Sequence, residues 1–218
     1  MRKSFLLDLL FPVKCLACGQ EGAWLCESCF RKLKFGAPET KHRLIVPELT
    51  AIFIAGDYDD PLLSELIKKF KYNFLTGPGK VLGRFLILFW QGQLSANRNL
   101  AVAEKFLLLA VPLSKKRRRW RGFNQAEILA QELAESFSYP LGQELKRIGH
   151  QKPQAELSEQ ARLANVRDAF VWTGASLAGQ TILLIDDVVT TGATLNEAAK
   201  ALKAAGAAAV YGLVLAKG

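Results

Sequence analysis

Two carboxylates stand side by side in Ile182–Thr194, ILLIDDVVTTGAT. Four apolar residues lead into Asp186 and Asp187, two more apolar residues follow, and then come Thr190, Thr191, Gly192, Ala193 and Thr194. The apolar run reads as a buried strand, with the aspartates at its carboxyl end, where open α/β sheets bind ligands. The threonine loop opens the next helix, so its backbone N–H groups make an anion site. Gly192 lets the backbone approach an anion closely, and the threonines add hydroxyl donors. No Lys follows the glycine, which excludes the G-x-x-x-x-G-K-[ST] phosphate loop. Carboxylates accept hydrogen bonds, so sugar hydroxyls or a hydrated Mg2+ suit Asp186 and Asp187 better than phosphate does. A ribose 5-phosphate meets both halves of the motif. The competing reading is an Asp pair that only terminates a strand.

A second constellation lies near the N-terminus. Cys15, Cys18, Cys26 and Cys29, the chain's four cysteines, are spaced C-x2-C-x7-C-x2-C. Each C-x2-C pair can form a tight knuckle that offers two thiolates to one tetrahedral ion, and Gly19 suits the turn after Cys18. We expect a structural Zn2+, because four thiolates leave no open position for water. Disulfides fit poorly without a secretory signal, and a redox C-x-x-C usually occurs once. Trp24 and Leu25, between the pairs, are expected to pack this module onto the rest of the chain, and a short helix is expected over 27–33.

The elements that must position these groups follow from periodicity. Strands are expected at 50–58, 105–114, 181–189 and 208–217, and helices at 61–72, 79–93, 122–137, in the first half of 158–170, and at 193–206. From about residue 100 strands and helices alternate, which predicts an α/β domain with a mostly parallel sheet flanked by helices. The expected division is a zinc module over 1–35, a linker beginning FGAPETKHR, and an α/β domain over 36–218. Half of the 218 residues are apolar, enough for one sizeable core. The net charge of +9 favours polyanionic partners. No stretch reaches 18 apolar residues, so no membrane insertion is expected. MRKSFLLDLLFPVKC imitates a signal peptide, but Asp8 interrupts it and no small-residue cleavage site follows, so we expect a short amphipathic helix and a cytoplasmic protein. Phe89 and Trp90 read as core. His42 and His150 are given no role.

The run of four apolar residues, two acids, two apolar residues and T-T-G-x-T resembles the signature of type I phosphoribosyltransferases. That resemblance implies that Asp186 and Asp187 bind the ribose hydroxyls of phosphoribosyl pyrophosphate (PRPP), and that Thr190 to Thr194 bind its 5-phosphate. It further implies Mg2+ with PRPP, and a pyrophosphate loop after an earlier strand, here AVPLSKK with Ser114 and Lys115. Lys71 could reach the pyrophosphate, although KKFKY also reads as a solvated helix end. Over nearly its whole length the chain is similar to the ComF family of competence-associated, phosphoribosyltransferase-like proteins. The matching parts are CLACG and LCESC, Phe70–Tyr72, VPLSKKRRRWRGFNQAE, QAELSEQARLANVRDAF with Gln154, Leu157, Arg162 and Asn165, the aspartate motif, and the closing VLAKG. Arg162 and Asn165 share a helical face that reads either as site-facing or as surface.

Six of the seven residues from Lys115 to Arg121 are basic, with Trp120 among them. They read either as a solvated loop that helps hold pyrophosphate, or as a nucleic-acid contact through Arg117, Arg118, Arg119 and Trp120. Three functions stay open. The first is phosphoribosyl transfer to an unknown acceptor, with Asp186, Asp187 and Arg121 as the catalytic set. The second is a non-catalytic PRPP sensor that binds single-stranded DNA or a competence helicase. The third is a nucleobase salvage enzyme with a purely local basic loop. Any hood over the acceptor is expected from the zinc module or from 36–60.

Overall fold

The structure is a computed structural model that describes residues 12–36, 44–72, 76–98, 100, 106–148 and 169–218. The expected N-terminal helix, most of the linker, the helix expected within 158–170, His42, His150, Gln154, Leu157, Arg162 and Asn165 lie outside these residues.

In chain order the elements are α1 (Glu27–Phe30), β1 (Ala51–Asp57), α2 (Pro61–Tyr72), α3 (Gly77–Ala96), β2 (Phe106–Ala110), α4 (Lys115–Arg121), α5 (Gln125–Phe137), β3 (Leu141–Gly142), β4 (Leu145–Arg147), β5 (Phe170–Trp172), β6 (Thr181–Val189), α6 (Ala193–Ala204) and β7 (Ala209–Lys217). Five strands form one sheet in the order β1-β7-β6-β2-β3, and every neighbouring pair is parallel. β4 and β5 form a separate antiparallel ladder.

The sheet buries both faces, which is why β6 and β7 read as nearly unbroken apolar runs. Side chains alternate across a strand. Leu183 and Ile185 therefore enter the core built with α2, α3 and α5, while Ile182 and Leu184 enter the core built with α6, Leu145 and Phe170. Trp90 is fully buried and meets the Phe53 and Phe106 rings edge-on, as core placement requires. Gly206, with φ 100, follows α6 and turns the chain toward β7.

Two boundaries differ from the sequence reading. Residues 115–121 form a helix, not a loop. Ser114 Oγ accepts the Arg117 N–H at 3.3 Å, capping the start, and Gly122 in the left-handed region (φ 80) ends it. β2 stops at Ala110, because Pro112 has no N–H to continue the ladder. β6 occupies the expected 181–189, through both aspartates, and pairs with β7 as far as Lys217.

The cysteine module is not an appendage. Cys15, Leu25, Cys29 and Phe30 belong to the same core as α2, α3 and α5. A Cβ on Gly77 would overlap the Trp24 indole, so this glycine lets the module lie against the start of α3. Arg84 of α3 donates to both oxygens of Glu27, at 2.6 and 3.1 Å, and its guanidinium lies 4.2 Å from the Phe30 ring centroid. The Arg84 and Arg31 hydrogen bonds hold the Glu27 carboxyl down at about 2.

Candidate PRPP site and metal centre

Because Asp186 and Asp187 are consecutive residues of a continuous strand, they face opposite sides of the sheet. Asp187 lies on the α2/α5 side and is 8% exposed. Lys71 Nζ, from the last turn of α2, sits 3.2 Å from its Oδ1, and Arg121 Nη1, from the end of α4, 3.7 Å from its Oδ2. Arg121 also donates to Gln125 Oε1 at 2.9 Å, and Gln125 Nε2 donates to the Phe70 carbonyl at 3.1 Å. Asn124 caps α5 by accepting the Ala126 N–H, and donates to the Val111 carbonyl at 3.0 Å. The FNQ tripeptide thus ties α2, α4, α5 and the end of β2 together around one carboxylate. Lys71 is well buried, not a solvated helix end.

Asp186 lies on the α6 side. Burial and the neighbouring Asp187 push its carboxyl up to about 7, against a hydrogen bond from the Asp187 N–H and the pull of Lys71 and Arg117. Asp186 lines a recess of about 50 Å³ with Val188, Val189 and residues 190–195, whereas Asp187 does not. The recess opens at the N-terminus of α6, whose first N–H groups have no partner within the helix. Gly192 adopts φ 79, and a Cβ there would stand 2.6 Å from Val46 Cγ2, so both backbone shape and space require glycine. Val46 and Leu44 therefore border the threonine loop, as the expectation for 36–60 allows, whereas the zinc module packs on α3 instead.

After β2 the chain stays beside the site, since the Val111 N–H donates to Ile185 O at 2.9 Å. That sets the start of the 112–115 segment level with the end of the apolar run that precedes Asp186. α4 divides its charges by helical spacing. Arg121, at its end, is buried against Asp187. Arg118 is held by Glu127 through two hydrogen bonds of 2.8 and 3.2 Å. Lys115, Lys116, Arg117, Arg119 and Trp120 are exposed, Trp120 at 58%. The basic run is therefore one helix with an inner and an outer face.

Two site residues escape the sequence reading. Gln125 could have been sought as the third member of FNQ. Arg147 of β4 carries no motif; burial lowers its proton affinity, the charge of Arg117 lowers it further and that of Asp186 raises it.

At the cysteine module all four Sγ atoms lie within 4.8 Å of one another. The Cys18 and Cys26 sulfurs are 3.7 Å apart, close to the ~3.75 Å edge of a tetrahedron with zinc–sulfur bonds of ~2.3 Å. The Cys26 N–H points at Cys15 Sγ at 3.4 Å, and Gly19, with φ 76, makes the turn after Cys18. Burial opposes ionisation of Cys15, but the N–H groups of Cys26, Cys18 and Ala17 bring it down to about 6. Cys29, hydrogen-bonded to Cys26 and buried, is pushed up to about 12. Four thiolates this close need a cation between them, so the donor set fits structural Zn2+.

Comparison with known proteins agrees with this geometry. Residues 121–218 match the phosphoribosyl transferase domain and residues 6–41 the double zinc ribbon domain. "Competence protein F" of Haemophilus influenzae is 32% identical over 199 residues, covering 90% of this chain and 80% of that protein. "DNA utilization protein YhgH" of Escherichia coli K12 is 33% identical, with 75% and 70% covered. "Competence protein ComFC" of Bacillus subtilis is 33% identical, with 70% and 58% covered. A double zinc ribbon joined to a phosphoribosyltransferase fold, matched over most of its length by these relatives, places the chain in the ComF family.

Proposed function

We propose that the protein binds PRPP with Mg2+ at the mouth of β6 and acts as a phosphoribosyltransferase-like protein in the handling of incoming DNA. The observation that carries this reading is Asp186 lining one recess with the Thr190–Thr194 loop. That recess offers N–H and hydroxyl donors to a 5-phosphate beside an acceptor for a ribose hydroxyl. The names of the relatives, competence and DNA utilization proteins, support the cellular setting.

Asp186 accepts from the ribose diol and gives up its proton as it does so. Asp187 holds Lys71 and Arg121 in place, so that their positive charge faces the pyrophosphate side with Ser114 and Lys115. Asp186 is also a suitable outer ligand for a hydrated cation, since it is a half-buried carboxylate with a raised proton affinity. Mg2+, when bound with PRPP, neutralises the departing pyrophosphate. In the transfer the bond between ribose C1 and the pyrophosphate oxygen breaks, and the acceptor's nucleophile bonds to C1. The side chains around Asp187 supply fixed charge opposite the leaving group.

Calorimetric titration with PRPP and Mg2+ tests the binding, and pyrophosphate release is then measured across bases, nucleosides and DNA. Binding without release for every acceptor leaves the second reading, a PRPP-sensing protein that binds single-stranded DNA or a helicase. The outer face of α4 favours that reading, because Lys116 and Arg119 flank an exposed Trp120. No PRPP binding overturns both.

A further inference from the structure

The four cysteines share one chemistry and have unequal surroundings. Cys15 and Cys29 are 3% and 2% exposed and belong to the core shared with α2, α3 and α5. Cys18 is exposed and Cys26 half-buried. These two come from different C-x2-C pairs, yet their sulfurs lie 3.7 Å apart. Residues 17–22, around Cys18, are all exposed, so the knuckle that carries it stands open to solvent. Cys26 is the residue before α1, and its sulfur lies 3.2 Å from the Oγ of Ser28, which is itself exposed. The cluster thus has a buried half, which a dissolved reagent reaches last, and an open half, in which an accessible sulfur has a second one beside it. An accessible thiolate next to another cysteine is the arrangement that turns oxidation into a disulfide.

We infer that Cys18 and Cys26 form an oxidation site: a peroxide joins them in a disulfide, withdraws two of the four ligands from Zn2+, and so loosens the hold of the module on α3. The inference rests on the structural-zinc reading and is independent of PRPP binding. The Cys18 thiolate attacks one peroxide oxygen; the O–O bond breaks, Cys18 becomes a sulfenic acid, and the other oxygen leaves as hydroxide. The Cys26 thiolate then attacks the Cys18 sulfur, the S–S bond forms, and a second hydroxide leaves. Two protons from solvent convert both hydroxides to water, and the two electrons lost by the sulfurs end on the peroxide oxygens. The sulfurs must close from 3.7 Å to ~2.05 Å, a movement open to an exposed side chain. Cys15 and Cys29 are left as two thiolates, short of the four that a structural site uses. Cys26 leads directly into α1, where Glu27 pairs with Arg84 and Phe30 enters the core, so the change reaches α3.

The test treats the zinc-loaded full chain with hydrogen peroxide. A chromogenic chelator follows Zn2+ release, intact mass follows the loss of two hydrogens, and peptide mapping under non-reducing conditions locates the bridge. Zn2+ release should keep pace with a Cys18–Cys26 disulfide, and the oxidised protein should melt more than ~10 °C below the zinc-loaded one. A dithiol with added Zn2+ should restore the original melting temperature. Cys18→His keeps a metal ligand of the Cys3His type and removes the thiol from the open position. It should hold Zn2+ and release it to peroxide about tenfold more slowly or less. A bridge that joins Cys15 or Cys29, no release under excess peroxide, or release from C18H as fast as from the unaltered protein overturns the oxidation site. If C18H does not take up Zn2+, the bridge mapped in the unaltered protein decides alone. An unaltered chain that binds no Zn2+ overturns the zinc reading and the oxidation site with it.

Discussion

Asp186 and Asp187 have the same chemistry and different surroundings, and their environments set their behaviour. Asp186 titrates at about 7 in the folded protein, against 3.8 for the unperturbed group. Between those values the native state holds a proton that the unfolded chain has released. Stability therefore falls as pH rises through this window and levels off above about pH 7. Asp186→Asn removes the penalty, so the ligand-free variant should melt ~2–4 °C above the unaltered protein at pH 8. PRPP binding should be lost in the same variant. A melting temperature at or below that of the unaltered protein contradicts the assigned cost of burial. Asp187 is held by two cations instead. Lys71→Met leaves Arg121 as the partner in the ion-pair set, and urea unfolding should register a loss of ~1–3 kcal/mol, below the cost of breaking a fully buried pair because the site retains some water.

At the scale of elements, the cysteine module and α3 act as one piece. Cys15, Cys29 and Phe30 share a core with Phe85, Leu86 and Phe89, and the Glu27–Arg84 pair closes the seam. Stripping Zn2+ therefore exposes part of the main core, not a dispensable tip. Incubation with a chelator should lower the melting temperature by more than ~10 °C in a single transition that includes the α/β domain. A separate early transition, with the main one unmoved, counts against a shared core. The helix α4 has a comparable double allegiance, since Arg121 is buried against Asp187 while Lys116, Arg117, Arg119 and Trp120 face solvent.

The whole molecule carries a formal charge of +9. Exposed lysines and arginines release counterions when they neutralise nucleic-acid phosphates, so single-stranded DNA affinity should fall steeply with salt. Replacing Lys116 and Arg119 together with Ala should reduce the slope of log affinity against log salt by ~2, with PRPP affinity unchanged. An unaltered slope rules out the outer face of α4 as the contact.

The chain determined alone what depends on neighbours in sequence. The four cysteines, the Thr190–Thr194 loop and the apolar run before Asp186 act over a few residues, so spacing revealed a four-cysteine cluster fit for a metal, a recess at a helix N-terminus and a buried strand. Trp90 and the parallel sheet were legible for the same reason, through local apolar patterning. Tertiary structure decided the rest. Gln125 reaches Phe70 across 55 residues, and Glu27 meets Arg84 across 57. Arg147 is one basic residue among many until the ladder sets its guanidinium over the Phe170 ring. The expected strand over 181–189 already set the two aspartates on opposite faces; only the fold decided that Lys71 and Arg121 meet Asp187 while Asp186 lines the recess with the threonine loop.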